Sequence, residues 1–169
     1  MDDNKKKIAF IINPISGTQG KEHILKWLDE KLDKNRYMPE VIYTEWAGHA
    51  VEIAARKAKE EVFAVVAIGG DGTINEIARS LVHTKTALGI IPCGSGNGLA
   101  RHLQIPMEAK KAIDIINEGL IDIIDYGKIN DVPFFCTCGV GFDAFVSLQF
   151  SKAGRRGPLI YLEKTLLES

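Results

Sequence analysis

The chain has 169 residues, ample for one well-buried core and thin for two. Lys and Arg number 21 against 22 Asp and Glu, so the formal charge of −1 gives no electrostatic footing for nucleic acid or for strong attraction to an anionic membrane. No apolar run approaches the roughly 18 residues of a membrane span and no signal-peptide core is present at the N-terminus, while the 3 cysteines fit reduced thiols in a cytoplasmic chain.

Lys5-Lys6-Lys7 reads as a solvated flank of the first strand, because a lipid-binding patch needs a longer basic cluster. Residues 8–12 form that strand, and Asn13-Pro14-Ile15-Ser16-Gly17-Thr18-Gln19-Gly20 ends it. Pro14 stops the strand while Gly17 and Gly20 permit a tight loop, so a plain turn and a nucleotide contact through Asn13 and Ser16 both fit. Gly20-Lys21 is followed by Glu22 rather than Ser or Thr, which excludes a P-loop. Ile24, Leu25, Leu28 and Leu32 mark a helix stripe, and residues 40–43 a second strand. Thr44-Glu45-Trp46-Ala47-Gly48-His49-Ala50 closes that strand and opens a helix carrying Val51, Ala54, Ala55 and Ala58. His49, near a helix start, suits a packed or solvated histidine better than a general base.

Residues 62–68 are a short, β-branched, uninterrupted apolar run, as expected of a strand buried on both faces. Gly69-Gly70-Asp71-Gly72-Thr73 follows, and Ile74, Ile77, Ala78 and Leu81 then trace the apolar stripe of a helix. A glycine-rich turn before a helix leaves backbone N–H groups free where an anion is favoured, with no Cβ to hold a phosphate off. Asp71 would repel phosphate by itself; it fits if it holds a divalent cation, directly or through water, or accepts a proton from an attacking hydroxyl. A type II turn with a capping Asp fits the same residues. Residues 86–91 read as another buried strand, followed by Pro92-Cys93-Gly94-Ser95-Gly96-Asn97-Gly98 and a short helix with Leu99, Ala100 and Leu103. Two such strand–glycine–helix turns meet at the carboxyl edge of a parallel sheet, where open α/β sheets bind ligands.

Ala109, Ala112, Ile113 and Ile116 form a further helix stripe ended by Gly119. Residues 120–126 and 134–141 then read as two strands pairing antiparallel about an Asn130-Asp131 turn. Cys136 and Cys138 fall in the second of these, on opposite faces, which disfavours a disulfide or a metal site. Gly154-Arg155-Arg156-Gly157 is a basic stretch, either a solvated loop or a segment that folds over phosphates. Residues 158–167 read as an amphipathic helix with Leu159, Leu162 and Leu166 on one face. The alternation of β and α predicts an α/β fold, three-layer α/β/α with a mostly parallel sheet.

Four motifs in order, Asn13-Pro14-x-Ser16-Gly17, Thr44-x-x-x-Gly48-His49-Ala50, Gly69-Gly70-Asp71-Gly72-Thr73-x-Asn75-Glu76 and Gly94-Ser95-Gly96-Asn97-x-Leu99-Ala100-Arg101, resemble the diacylglycerol kinase catalytic superfamily. The resemblance covers about residues 7–160. It implies an ATP-dependent kinase that transfers the γ-phosphoryl group to a lipid hydroxyl, of diacylglycerol or a sphingoid-like alcohol, with Mg²⁺ as cofactor. By the same resemblance Asn13, Ser16, Gly17, Thr44 and Gly48 contact ATP, and Gly69, Gly70, Gly72 and Thr73 wrap its phosphates. Glu76, Gly94, Ser95, Gly96 and Asn97 complete the pocket, and Asp71 is the catalytic carboxylate and metal contact; if the basic stretch over residues 154–157 is more than a solvated loop, Arg155 or Arg156 folds over the phosphates. Bacterial diacylglycerol kinases usually read Gly-Thr-x-Asn-Asp at the second turn; Gly94-Ser95-Gly96-Asn97-Gly98 is closer to sphingosine kinases, which leaves the lipid open.

Members of that superfamily run to roughly twice this length, with a β-rich second domain that supplies much of the lipid pocket. The chain is therefore expected to comprise a nucleotide-binding domain over residues 1–157 and, over 158–169, the start of a helix leading into a second domain. Without that domain, the apolar face of 158–167 and Phe142, Phe145 and Phe150 nearby are expected to be covered by homodimerisation or by a C-terminal segment held in a position unlike the family's, with ATP bound weakly and transfer activity lost. The resemblance places the protein in the cytoplasm, with peripheral contact at the inner face of the membrane. A kinase of the NAD kinase type and a nucleotide-binding module without catalysis are the alternatives.

Overall fold

The computed structural model describes residues 5–15, 21–139 and 144. In chain order the elements are β1 (Lys6–Ile12), α1 (Glu22–Lys31), β2 (Tyr37–Tyr43), α2 (His49–Lys59), β3 (Ala64–Gly69), α3 (Asp71–Leu81), β4 (Ala87–Pro92), α4 (Gly98–His102), α5 (Ala109–Glu118), β5 (Gly127–Ile129) and β6 (Val132–Phe134). The first four strands make one sheet in the order β2-β1-β3-β4, every pair parallel. Each parallel connection is a helical crossover, so helices cover both faces.

The two faces follow from strand alternation. Ile8, Phe10, Ile12, Val66 and Ile68 face one way and pack with Ile24 and Leu28 of α1 and Ala112 and Ile113 of α5. Ala9, Ile11, Val65 and Ala67 face the other way, against Ile53 and Ala54 of α2 and Ile74 and Ile77 of α3. All six residues of β3 are buried, which is why its sequence carries no polar alternation. The fold is the three-layer α/β/α sandwich expected from the sequence. Among the described residues no helix is long and apolar enough to cross a membrane.

Two expectations are corrected. The buried face of α2 is Ala50, Ile53, Ala54 and Lys57; of the expected apolar positions Ala54 is buried and Ala58 packs partly buried against the core, whereas Val51 is exposed. A left-handed Gly48, at φ +86°, caps the helix and starts it at His49. Lys57 takes a buried position because Glu40 and Glu60 meet its ammonium at 2.7 and 2.8 Å. The second correction concerns residues 120–126, which form no strand. The hairpin turn is where it was expected, with Asn130 and Asp131 both left-handed at φ +47° and +63°, as a two-residue type I′ turn demands. The strands flanking it are the short β5 and β6, so the second ends at Phe134 instead of running on to 141. An apolar run becomes a strand only where a sheet edge accepts its backbone, and this one joins neither sheet. Leu120 and Ile123 are 82% and 101% exposed. The hairpin is tied to α3 instead, through Arg79 Nε donating to the Pro133 carbonyl at 2.7 Å.

The Lys57 cluster predicts a pH dependence. Burial opposes the lysine's charge, but Glu40 and Glu60 outweigh it and hold the ammonium above its ordinary range. The hydrogen bond from Lys57 in turn lowers Glu60. A carboxylate lowered in the folded state contributes stability present above its unfolded pKa and lost as pH falls through its folded one; a raised lysine contributes stability lost only at high alkaline pH. Thermal denaturation followed from pH 7 downward should show the melting temperature fall as Glu60 protonates, and Lys57→Met should flatten that limb.

In the unit ending at Phe135, this sandwich and the hairpin are the whole architecture among the described residues. In the unit that follows, residues 136–139 lie in no strand, so opposite strand faces do not apply to Cys136 and Cys138; both are free, exposed thiols. The expected boundary near 150–158, the helix over 158–167 and the Phe142, Phe145 and Phe150 patch lie outside the described residues.

Candidate active site

Because the four strands are parallel, their carboxyl ends share one edge, and each expected loop follows one of them. Backbone hydrogen bonds stitch that edge together. Thr44 N–H donates to the Ile12 carbonyl at 2.9 Å, Asn13 N–H to Ile68 at 3.4 Å and Cys93 N–H to Gly69 at 2.8 Å.

The first glycine turn is short. β3 ends at Gly69, Gly70 is extended, and α3 begins at Asp71 with no side chain capping its N-terminus. The first-turn amides of α3 are therefore left for solvent or an anion. The second turn, from Gly94 to Gly98, lies against the first. A Cβ built on Gly94 would stand 2.6 Å from the Gly70 Cα, and one on Gly70 would stand 3.1 Å from the Gly94 Cα. Neither residue has positive φ. Glycine is required here because two backbones touch, and no left-handed turn is involved.

Asp71 clasps the two turns together. Its Oδ2 accepts the Asn97 N–H at 2.8 Å and its Oδ1 accepts the Gly98 N–H at 2.6 Å. A Cβ on Gly96 would fall 2.8 Å from the same Oδ2. Asn97, left-handed at φ +54° and buried, closes the second turn on itself. Its Oδ1 accepts the Gly94 N–H at 2.8 Å and its Nδ2 donates to the Gly94 carbonyl at 2.7 Å. Arg101 Nε donates to the Gly96 carbonyl at 2.8 Å and locks the far side. Asp71 itself is exposed, and each of its oxygens keeps a second lone pair after accepting one N–H.

The other expected residues are distributed around this clasp. Asn13 Nδ2 donates to the buried Thr73 Oγ1 at 3.3 Å, which ties the β1 loop to the first turn of α3. Gly69 packs so closely on Thr73 that a Cβ there would lie 2.7 Å from the Thr73 Cβ. Gly72 has open space around it, Ser95 and Gly96 are exposed, and Glu76 is half-buried on α3. Thr44 is buried at the end of β2, and Gly48 follows on the same loop. Cys93 borders the second turn; burial pushes its thiol up, with Lys21 pulling the other way. Ser16, Gly17 and Arg156 lie outside the described residues. Among the described residues no group of three or more His, Cys, Asp or Glu is arranged to hold a metal ion.

Sequence reasoning gave no role to Arg101 and missed the stacking of Trp46 on His49, with ring centroids 3.8 Å apart and planes within 7°. The three-residue spacing of these rings across a helix start was the available signal.

Two interlocked glycine turns thus stand at the carboxyl edge of a parallel sheet, the edge at which open α/β sheets bind ligands. The comparisons make this specific. The profile of the diacylglycerol kinase catalytic domain matches residues 7–129, and the chain belongs to that family. It is 35% identical over 132 residues to a diacylglycerol kinase of Staphylococcus saprophyticus, covering 77% of this chain and 43% of that protein. The diacylglycerol kinase of Bacillus subtilis is 36% identical over 140 residues, covering 80% of this chain and 46% of its own length. In three dimensions it superposes on a crystal structure of a diacylglycerol kinase from Bacillus anthracis with a TM-score of 0.70 at 26% identity, covering 76% of this chain and 48% of that one. The chain thus spans about half the length of the relatives it matches.

Proposed function

We propose that this chain is the nucleotide-binding part of an ATP-dependent lipid kinase, which moves the γ-phosphoryl group of ATP to a lipid hydroxyl. One observation carries the reading. The two turns that mark the family are held in contact by Asp71 at the ligand-binding edge of the sheet. The α3 amides and the glycine backbones bind and orient the phosphates, and in-line transfer depends chiefly on such positioning and charge stabilisation.

The residues fit Mg²⁺ in the sparse way that ion prefers, through one carboxylate with substrate phosphates and water. Asp71 holds it through its remaining lone pairs, directly or through water, and when bound the ion neutralises charge developing on the phosphates. The alternative role for Asp71 is to take up the proton of the attacking hydroxyl. Asn13, Ser16, Gly17, Thr44 and Arg156 complete the nucleotide contacts. The acceptor resides in a membrane, so transfer requires peripheral contact with its surface.

Labelled ATP supplied with diacylglycerol micelles, sphingosine micelles or NAD tests this reading. Label in either lipid is the expected result, and the labelled lipid identifies the acceptor class. Label in NADP, or ATP binding without transfer to any acceptor by protein of the relatives' full length, would overturn it. Sedimentation of the 169-residue chain tests homodimerisation separately.

A further inference from the structure

Trp46 lies on the loop after β2, 53% exposed, at the same carboxyl edge as the glycine turns. A large exposed aromatic is usually mobile, but this one is not left to swing. Its indole stacks on the His49 imidazole at 3.8 Å, nearly coplanar, and the Glu45 N–H donates to His49 Nδ1 at 3.1 Å. That hydrogen bond fixes the imidazole plane, and the imidazole fixes the indole. Gly48, left-handed, turns the loop into α2 so that both rings come from one tight segment. The result is a flat stack of two rings in which the indole is half exposed.

The strand order gives the stack a meaning. From the phosphate-binding turns after β3 and β4, the edge runs across β1 to β2. Two strand spacings, about 10 Å, separate the β2 loop from the β3 turn. A nucleotide laid along that edge with its phosphates at the glycine turns passes Asn13 and Thr44 and brings its base to Trp46. We infer that the Trp46–His49 pair is the platform on which the purine base of the nucleotide stacks, and so a determinant of nucleotide against plain polyphosphate. This rests on the kinase reading above.

The test separates the two. The sequence has 2 tryptophans, and the other, Trp27, sits on α1 beneath the ammonium of Lys110. In a Trp27→Phe background, ATP should quench Trp46 emission, and saturating inorganic tripolyphosphate should not. Trp46→Ala should weaken ATP about tenfold, within the range for a base stacked on an aromatic, with tripolyphosphate affinity unchanged and Trp46→Phe restoring most of the loss. Unchanged ATP affinity in Trp46→Ala would overturn the platform and leave the kinase reading standing. Equal loss of ATP and tripolyphosphate would also overturn it, since the ring would then be shaping the loop. Tripolyphosphate binding without ATP binding in the parent chain would overturn the platform and the kinase reading together.

Discussion

In protein of the relatives' full length, Asp71→Asn should lower phosphoryl transfer at least about a hundredfold, measured as label passed from ATP to lipid. The substitution keeps the shape of the side chain and removes two things. One is the negative charge at the first residue of α3, which a metal ion or a departing proton requires. The other is half of the clasp. An amide has a single oxygen, so whichever way it turns, its NH₂ faces either the Asn97 or the Gly98 N–H, both of which now donate to a carboxylate. One hydrogen bond becomes a clash of donors, at a cost of about 1–3 kcal/mol. The second turn is then released from the first, so ATP affinity should fall along with turnover. A near-normal rate would remove Asp71 from the site. A lost rate with intact affinity would leave it the chemistry and deny it the clasp.

Gly94→Val should abolish nucleotide binding, and calorimetry with ATP is the direct measurement. Its Cβ would meet the Gly70 Cα at 2.6 Å and the Asn97 Oδ1 at 2.8 Å, one of them backbone that has no rotamer with which to give way. Overpacking of this kind costs about 1–3 kcal/mol in a core, and here the whole distortion falls on the cradle. Gly72→Ala is the matched control, because nothing lies within 4 Å of its added Cβ. In the first turn of α3 it should leave the fold intact, or stabilise it by up to about 1 kcal/mol, and reduce affinity only if phosphate seats against that amide. Full ATP binding by both variants would reduce these loops to connecting turns.

The sandwich was legible because its signals are local. The unbroken apolar run of β3 and the period of Ile74, Ile77 and Leu81 each follow from one element's own burial. The site was legible as a set of loops but not as a mechanism of assembly. Nothing in Gly70 or Gly94 says that the other will lie against it, since the contact joins positions 24 residues apart in the sequence through the β3–β4 pairing. The same holds for Lys57, whose burial depends on Glu40 of another element. Residues 120–126 misled for the converse reason. Their composition is that of a strand, and whether a strand forms depends on a partner that composition does not encode.

The clasp has a thermodynamic consequence. Asp71 follows β3 whereas Asn97 and Gly98 follow β4, so the cradle exists only once β3 and β4 have paired, and the unfolded chain has no equivalent of it. A ligand that recognises the folded form alone shifts the folding equilibrium by mass action, by about 2.7 kcal/mol at a hundredfold excess over its dissociation constant. A nucleotide seated in this cradle would therefore stabilise the folded domain, by an amount set by its concentration relative to its dissociation constant.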